Sequence, residues 1–127
     1  MNRFLIDTTI QFAEYRELAY NRYMEKYHPD RSWTFGADKH HDTPEFAEYH
    51  TWKKALKVLL NGANYQDILD LEALMLLGRD GDGSFQNVRD DLAKRYPHED
   101  GKTMAVIYIT EKSPLATYLS DGLKRMG

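Results

Sequence analysis

Apolar residues recur at helical spacing along most of the chain. Between Asp7, a candidate N-cap, and Pro29, apolar and aromatic side chains fall on one side of a helical wheel with a period of about 3.6 residues. This pattern predicts a long amphipathic helix. Thr43 followed by Pro44 is a cap-and-first-turn signature that predicts a second helix, which ends near Gly62.

The segment that follows Asn64 is apolar on nearly all sides. Its apolar residues are Ile68, Leu69, Leu71, Ala73, Leu74, Met75, Leu76 and Leu77. A helix without a polar face belongs at the centre of a fold. We therefore expect a central helix here, capped at its start by Asn64 and ended by Gly78 in the left-handed conformation.

Three further segments complete the predicted fold. Spacings of three, four and four residues from Phe85 to Tyr96 predict a fourth helix, and Ser113-Pro114 opens the last one. Residues 104–109 are β-branched and aromatic, which favours a strand, but a strand needs a partner. We therefore predict a short buried helix there. Together these patterns predict one all-α domain, residues 1–127, with five to six helices around the buried segment 68–77.

Composition narrows the class of protein. The 17 basic and 20 acidic residues give a formal net charge of −3, without the basic excess that nucleic-acid binding favours. The chain has no cysteine, which excludes disulfides and thiol nucleophiles and fits a reducing compartment. It has no apolar run long enough for a bilayer and no secretory signal. We expect a cytoplasmic protein with neither nucleic acid nor membrane as partner.

The acidic turn Asp80-Gly81-Asp82-Gly83 is similar to the centre of an EF-hand calcium loop, which requires ligands at fixed positions. If Asp80 takes the third position of an EF-hand, Arg89 takes the twelfth, where a bidentate Glu is required. If Asp80 takes the first position, Asp91 takes the twelfth but Phe85 takes the sixth, where the sharp turn requires Gly. An interhelical turn with Asp82 or Ser84 as the next cap is therefore predicted, and no cofactor is expected.

The first predicted helix ends in His28-Pro29-Asp30. This tripeptide, and the residues before it, resemble the end of the second helix and the His-Pro-Asp loop of J-domain co-chaperones. Residues 55–59 are similar to the end of the third helix of that family. The resemblance implies that His28, Pro29 and Asp30 engage a seventy-kilodalton heat-shock chaperone and stimulate its ATPase. The alternative is a plain helix stop, because Pro cannot continue a helix and His favours its C-terminal end.

The histidine-rich segment offers ligands for a metal ion. His40, His41, His50 and Glu45 provide nitrogen and oxygen atoms suited to zinc or another divalent cation. Their spacing matches no established metal motif. A metal-dependent enzyme and a solvated loop before a helix both remain open.

Aromatic residues are concentrated before position 53. Tyr20, Tyr23 and Trp33 combine large apolar area with a polar tip, which suits a partner surface and equally suits a core. No catalytic motif brings reactive side chains together. The leading hypothesis is a non-enzymatic protein-interaction module with a protein partner; the co-chaperone and the metal-dependent enzyme are the alternatives.

Two blocks in the second half resemble a family. Residues 71–80, Leu-Glu-Ala-Leu-Met-Leu-Leu-Gly-Arg-Asp, resemble the Ala-Leu-Met-Trp-Leu-Gly-Arg-Gly-Asp signature of the bacterial domain of unknown function 3775. Residues 113–123 are similar to the Pro-Leu-Leu-x-Asp-Tyr-Leu-x-x-Gly-Leu segment with which that family ends. The resemblance implies a small helical bacterial or phage-borne protein without established activity, and makes Gly78, Arg79 and Asp80 its motif turn.

Overall fold

The structure, a computed structural model, describes residues 1–30 and 42–126. Within these ranges the chain forms six α-helices and one 3₁₀ turn. They are α1 (Arg3–Tyr27), α2 (Pro44–Asn61), α3 (Tyr65–Asp80), α4 (Phe85–Arg95), the 3₁₀ turn (Glu99–Gly101), α5 (Lys102–Thr110) and α6 (Leu115–Met126). No strand occurs in the described ranges, so the predicted all-α class is confirmed. None of these helices combines the length and the hydropathy needed to cross a bilayer.

Helix α3 lies at the centre, as predicted. Helices α4, α5 and α6 all pack against it, while α1 pairs with α2 and also contacts α6. The buried residues of α3 are Ile68, Leu69, Leu71, Glu72, Ala73, Leu74, Met75, Leu77 and Gly78. All but one of them are apolar, which is why a sequence with almost no polar face forms the centre of this bundle.

Three predicted helix starts are confirmed by their caps. The side-chain oxygens of Thr43, Asn64 and Ser84 each accept a hydrogen bond from the backbone N–H three residues on, at 3.3, 2.8 and 3.2 Å. Each cap satisfies an N–H group that the first turn of a helix leaves without a partner. At these three positions the capping residue was sufficient to predict where the helix begins.

The predicted start of α1 at Asp7 is wrong. The helix begins at Arg3, because Asn2 is the N-cap and its Oδ1 accepts a hydrogen bond of 3.0 Å from the N–H of Leu5. Leu5 and Ile6 then extend the buried stripe of α1 by one more turn. Asp7 lies inside the helix on the exposed side.

The predicted role of Gly78 as the end of α3 is also wrong. Gly78 is buried inside the helix, and the left-handed residue is Gly81, with φ of +75°. Gly78 and Gly122 lie where α3 and α6 cross. A Cβ on Gly78 would stand 1.7 Å from the carbonyl oxygen of Tyr118, and one on Gly122 would stand 2.2 Å from that of Leu74. The two glycines are required for backbone-to-backbone contact.

Residues 104–109 are helical, as predicted, and form most of α5. Ala105, Val106 and Ile109 are buried, whereas Met104 and Ile107 are exposed on the opposite side. Helix α5 packs on α2 and α3, so a β-branched segment is helical here through its tertiary contacts rather than its propensity.

Helices α1 and α2 are joined by aromatic rings. The paired rings are Phe12–Trp52, Tyr15–Trp52, Tyr20–Tyr49 and Tyr23–Phe46, with centroids 5.5, 4.6, 5.5 and 5.1 Å apart. All four pairs are tilted, an arrangement that aromatic rings favour over a face-to-face sandwich. The aromatic enrichment before position 53 therefore serves largely to pair these two helices.

Candidate binding cleft

A cleft of about 680 Å³ opens between α1, α2 and the turn that joins α5 to α6. This volume falls in the usual range of roughly 300–1,000 Å³ for ligand sites. Arg16 and Glu17 of α1 form its floor. Lys53 and Lys57 of α2 form one wall, and residues 110–114 form the other.

Arg16 fixes the end of α5 that borders the cleft. Its guanidinium Nη1 donates to the carbonyl oxygen of Thr110 at 2.6 Å, and Nη2 donates to that of Lys112 at 2.8 Å. The last carbonyls of a helix lack intrahelical partners and carry its negative end, so a cation is favourable there. Burial lowers the pKa of Arg16, and the nearby Tyr49 and Glu17 oppose that shift.

Glu17, the next residue, lies at the start of α6. Its carboxylate faces the backbone amides of Leu115 and Ala116, at the positive end of that helix. Burial raises the pKa of Glu17, while these amides and Arg16 act in the opposite direction. Arg16 thus binds the end of α5, while Glu17 lies at the start of α6 with its Oε1 buried and without a hydrogen-bond partner among the described residues. The two adjacent side chains of α1 therefore lie at the two helix ends that flank one turn.

The α2 wall supplies positive charge. Lys53 and Lys57 lie one helical turn apart, and neither forms an ion pair with a residue in the described ranges. The Lys53 ammonium lies 6.0 Å from the ring centroid of Tyr49, which pairs in turn with Tyr20. Ile107 of α5 adds an apolar side chain that is 44% exposed. The cleft therefore suits a ligand that carries both acidic and apolar groups.

The structure places His28 at the C-cap of α1. Its backbone N–H donates to the carbonyl oxygen of Met24 at 2.7 Å, and its buried ring lies edge-on to Tyr23 with centroids 5.6 Å apart. Pro29 and Asp30 are exposed. These contacts fit a helix stop, and the chaperone contact inferred from the J-domain resemblance stays a prediction.

The three aromatic residues predicted to face a partner lie in different environments. Tyr23 is only 1% exposed and packs between α1 and α2, whereas Tyr20 lines the cleft. Trp33 lies outside the described residues. Of the three, Tyr20 is the one that the described structure places at the candidate site.

The predicted metal ligands are only partly within the described chain. Glu45 accepts hydrogen bonds from the Lys26 ammonium at 2.6 Å and from the Tyr27 hydroxyl at 3.0 Å, and the Lys26 contact lowers the pKa of Glu45. His50 is exposed, with its ring edge-on to Phe46. His40 and His41 lie outside the described residues. The described residues hold no group of three potential metal ligands, and the metal site stays a prediction.

The motif residues Arg79 and Asp80 form the last turn of α3 rather than a loop. Arg79 Nε donates to Asp80 Oδ1 at 2.8 Å, and Arg79 Nη1 donates to the hydroxyl of Tyr108 at 3.0 Å. The bond to Tyr108 ties the end of α3 to α5. Arg79 and Asp80 are thus already occupied by contacts within the protein.

Sequence reasoning missed Arg16, Glu17 and the buried Glu72. A signal existed for two of them, because Arg16 lies within the apolar stripe of α1, three residues from Ala13 and from Ala19, and Glu72 interrupts an apolar segment. A charged side chain at a core position indicates a specific partner or an unusual pKa. For Glu17, which lies beside the stripe, no such signal is present.

Comparison with known proteins adds one result. A family model described as a protein of unknown function (DUF3775) matches residues 53–127. No curated protein and no solved structure matches the chain significantly. The matched segment contains Lys53, Lys57 and the turn between α5 and α6, while Arg16 and Glu17 precede it. On this match, the chain belongs to the DUF3775 family of proteins of unknown function.

Proposed function

We propose that this protein is a non-enzymatic protein-interaction module whose cleft binds an acidic segment of a partner protein. One observation carries the proposal: Lys53 and Lys57 lie one turn apart on a concave surface, without ion pairs among the described residues, beside the exposed Ile107.

The charge of the cleft differs from that of the whole chain. The chain has a formal net charge of −3, yet this wall of the cleft is basic. A local potential opposite in sign to the net charge directs an acidic ligand to one place on the surface and raises its association rate. Basic or neutral partners gain no such advantage.

The apolar side of the site extends along α5. Met104 is 62% exposed and lies one turn from Ile107 on the outward face of the helix. Neighbouring apolar side chains next to charged ones are typical of protein interfaces, where an apolar centre lies within a polar rim. The partner segment is expected to place acidic groups on Lys53 and Lys57 and an apolar side chain on Ile107.

The cleft is also preformed. Arg16 holds the turn between α5 and α6 through two hydrogen bonds, so this wall does not need to be ordered when a ligand binds. Binding to a preorganised surface loses less conformational entropy and is correspondingly stronger.

A pull-down from cell lysate tests the proposal. Wild type is compared with Lys53→Glu/Lys57→Glu and with the matched control Lys54→Glu, which reverses an exposed charge on the same helix outside the cleft. A partner that depends on the cleft is reduced roughly tenfold or more in the double variant and retained by the control. Circular dichroism verifies that all three proteins are folded.

A defined probe complements the lysate. A fluorescent peptide that repeats Glu and Leu should bind the wild type, weaken as salt screens the charges, and bind better than its Lys-Leu counterpart. Equal binding of both peptides, or partners retained by the double variant, contradicts the proposal. A His28→Gln sample in the same pull-down tests the co-chaperone hypothesis, since loss of a heat-shock chaperone from that sample alone would support it.

A further inference from the structure

Glu72 is a carboxylic acid at the centre of the bundle. It lies on α3 with a side chain that is 0% exposed, and neither carboxyl oxygen has a hydrogen-bond donor among the described residues. Leu74 and Gly78 face α6, and Glu72 lies roughly 200° around the helix from Leu74, given about 100° per residue. Glu72 therefore faces the side of α3 on which α4 and α5 pack.

Charged and titratable groups near Glu72 come from the end of α4 and from the turn after α5. Arg95 and Tyr96 approach from α4, and Lys112 approaches from the turn after α5, where its ammonium lies 4.0 Å from the ring centroid of Tyr108. Within the described chain, α6 contributes no group that shifts this carboxyl. Burial raises the pKa of Glu72 to about 7, and the weaker effects of Arg95 and Lys112 oppose it.

Helix α4 is attached to the bundle mainly through α3. Leu92 is its one fully buried residue in the described structure, and it packs with Leu69 and Ala73 of α3. The partly buried Phe85, Val88, Ala93 and Tyr96 pack against the same cluster, and Phe85 and Tyr96 also contact the main core. An ion pair of 2.7 Å between Arg89 and Asp70 adds a polar contact along the same interface. Among the six described α-helices α4 has the fewest fully buried residues, so it belongs to the low-stability end of the structure.

We propose that the docking of α4 on α3 is coupled to the proton on Glu72, so that α4 opens with loss of that proton. A buried carboxylate without donors is strongly disfavoured, whereas water can solvate it once α4 has moved away. Opening also exposes Leu69 and Ala73, so a second apolar surface becomes more accessible once Glu72 has lost its proton.

The direction of the pH dependence follows from linkage. In the docked state Glu72 keeps its proton up to about pH 7, while a solvated Glu has a pKa near 4.5. The equilibrium constant for docking of α4 is therefore largest below about pH 4.5. It falls by up to about tenfold per pH unit between there and about pH 7, and it is constant above that.

Hydrogen exchange of the full-length protein between pH 5 and pH 8 tests the proposal. After correction for intrinsic exchange rates, protection of the amides in residues 85–96 should fall by up to about tenfold per pH unit below pH 7 and then level off. Amides of α1 and α6 that exchange through global unfolding share this slope, because unfolding also exposes Glu72, but their protection should remain higher than that of α4 at every pH. Carbon NMR of the Glu72 carboxyl in the wild type should give a midpoint close to the end of this fall.

Glu72→Gln removes the titration and keeps the shape of the side chain, so protection of α4 should become independent of pH. Glu99→Gln, in the exposed 3₁₀ turn, is the matched control and should behave as the wild type does. A pH response that persists in Glu72→Gln, a wild type without any response, or α4 protection equal to that of α1 and α6 at every pH overturns the proposal. A Glu72 midpoint near that of an exposed Glu overturns it without need of a variant.

Discussion

The two principal helix pairs of this protein are built in opposite ways. Helices α1 and α2 meet through large rings, several of which remain partly exposed, as Tyr15 and Trp52 do. Helices α3 and α6 meet backbone to backbone, with Gly78 against Tyr118 and Gly122 against Leu74. Rings can shift or be replaced by other apolar groups, but a backbone contact has no room for even a methyl group.

The two helix pairs therefore differ in how well they tolerate amino-acid substitutions. Composition would point to the aromatic pair as the dominant contact, since rings bury the largest areas. The geometry instead makes the crossing of α3 and α6 at Gly78 and Gly122 more sensitive to substitution, because any added side chain there must move a whole helix. Substitutions at the two interfaces test this ranking.

Gly78→Ala should have the largest effect. Its Cβ would lie 1.7 Å from a backbone oxygen of α6, so the helices must separate. The expected loss is more than about 3 kcal/mol, at or beyond the upper end for overpacked cores. Urea unfolding followed by circular dichroism measures it. Gly62→Ala is the control, since its nearest contact is 3.5 Å and its φ is −82°. Equal stability of the two variants would disprove the close crossing.

Arg16→Met should come next, at about 3 kcal/mol. The variant keeps the buried aliphatic volume but leaves the carbonyls of Thr110 and Lys112 without their donors in a buried region. The same unfolding experiment measures the loss. Arg22→Met, which removes an exposed partner of Glu48, serves as the control. If Arg16→Met is no more damaging than this control, the link between α1 and the turn after α5 contributes little to stability.

Trp52→Ala should cost about 2 kcal/mol, since the ring contacts both Phe12 and Tyr15 but is only partly buried. Trp52→Phe should recover most of this loss, because a smaller ring can still pack in a tilted pair. A loss larger than that of Gly78→Ala would reverse the ranking of the two helix pairs. Thermal unfolding of the three proteins side by side decides the order.

Glu48→Gln should have the smallest effect, below about 0.5 kcal/mol. Its carboxylate pairs with Arg22 across α1 and α2 at 2.6 Å, but both side chains are substantially exposed. The small difference from wild type should vanish in high salt. A larger loss that persists in salt would mean that polar contacts, and not rings, hold the aromatic pair together.

Local signals allowed most of the fold to be predicted. Caps such as Thr43, Asn64 and Ser84 act within three residues, so the sequence shows them directly. Gly78 was misassigned because the same residue type serves a left-handed turn and a close helix approach. Only the packed structure distinguishes the two, through the crossing with α6.

The candidate site could not be predicted in the same way. Its floor depends on a contact between Arg16 and Thr110, which are 94 positions apart in the sequence. In the sequence, the spacing of Lys53 and Lys57 is that of any solvated helix face. Their position in a cleft becomes visible only in the folded structure, where α5 lies beside α2. The sequence shows that Arg16 is a charged residue within the apolar stripe of α1. It does not show that Arg16 binds the end of α5.

The adjacent residues Arg16 and Glu17 give α1 a particular thermodynamic status. They lie before the segment that matches the family, yet Arg16 binds the end of α5 and Glu17 lies at the start of α6 within that segment. In binding terms, α1 is a tethered ligand of the rest of the chain, and its receptor is the turn that joins α5 to α6. Because α1 and this turn belong to one chain, their contact forms intramolecularly, at an effective concentration set by the covalent connection between them. A contact too weak to form between separate molecules can therefore be fully occupied within this one.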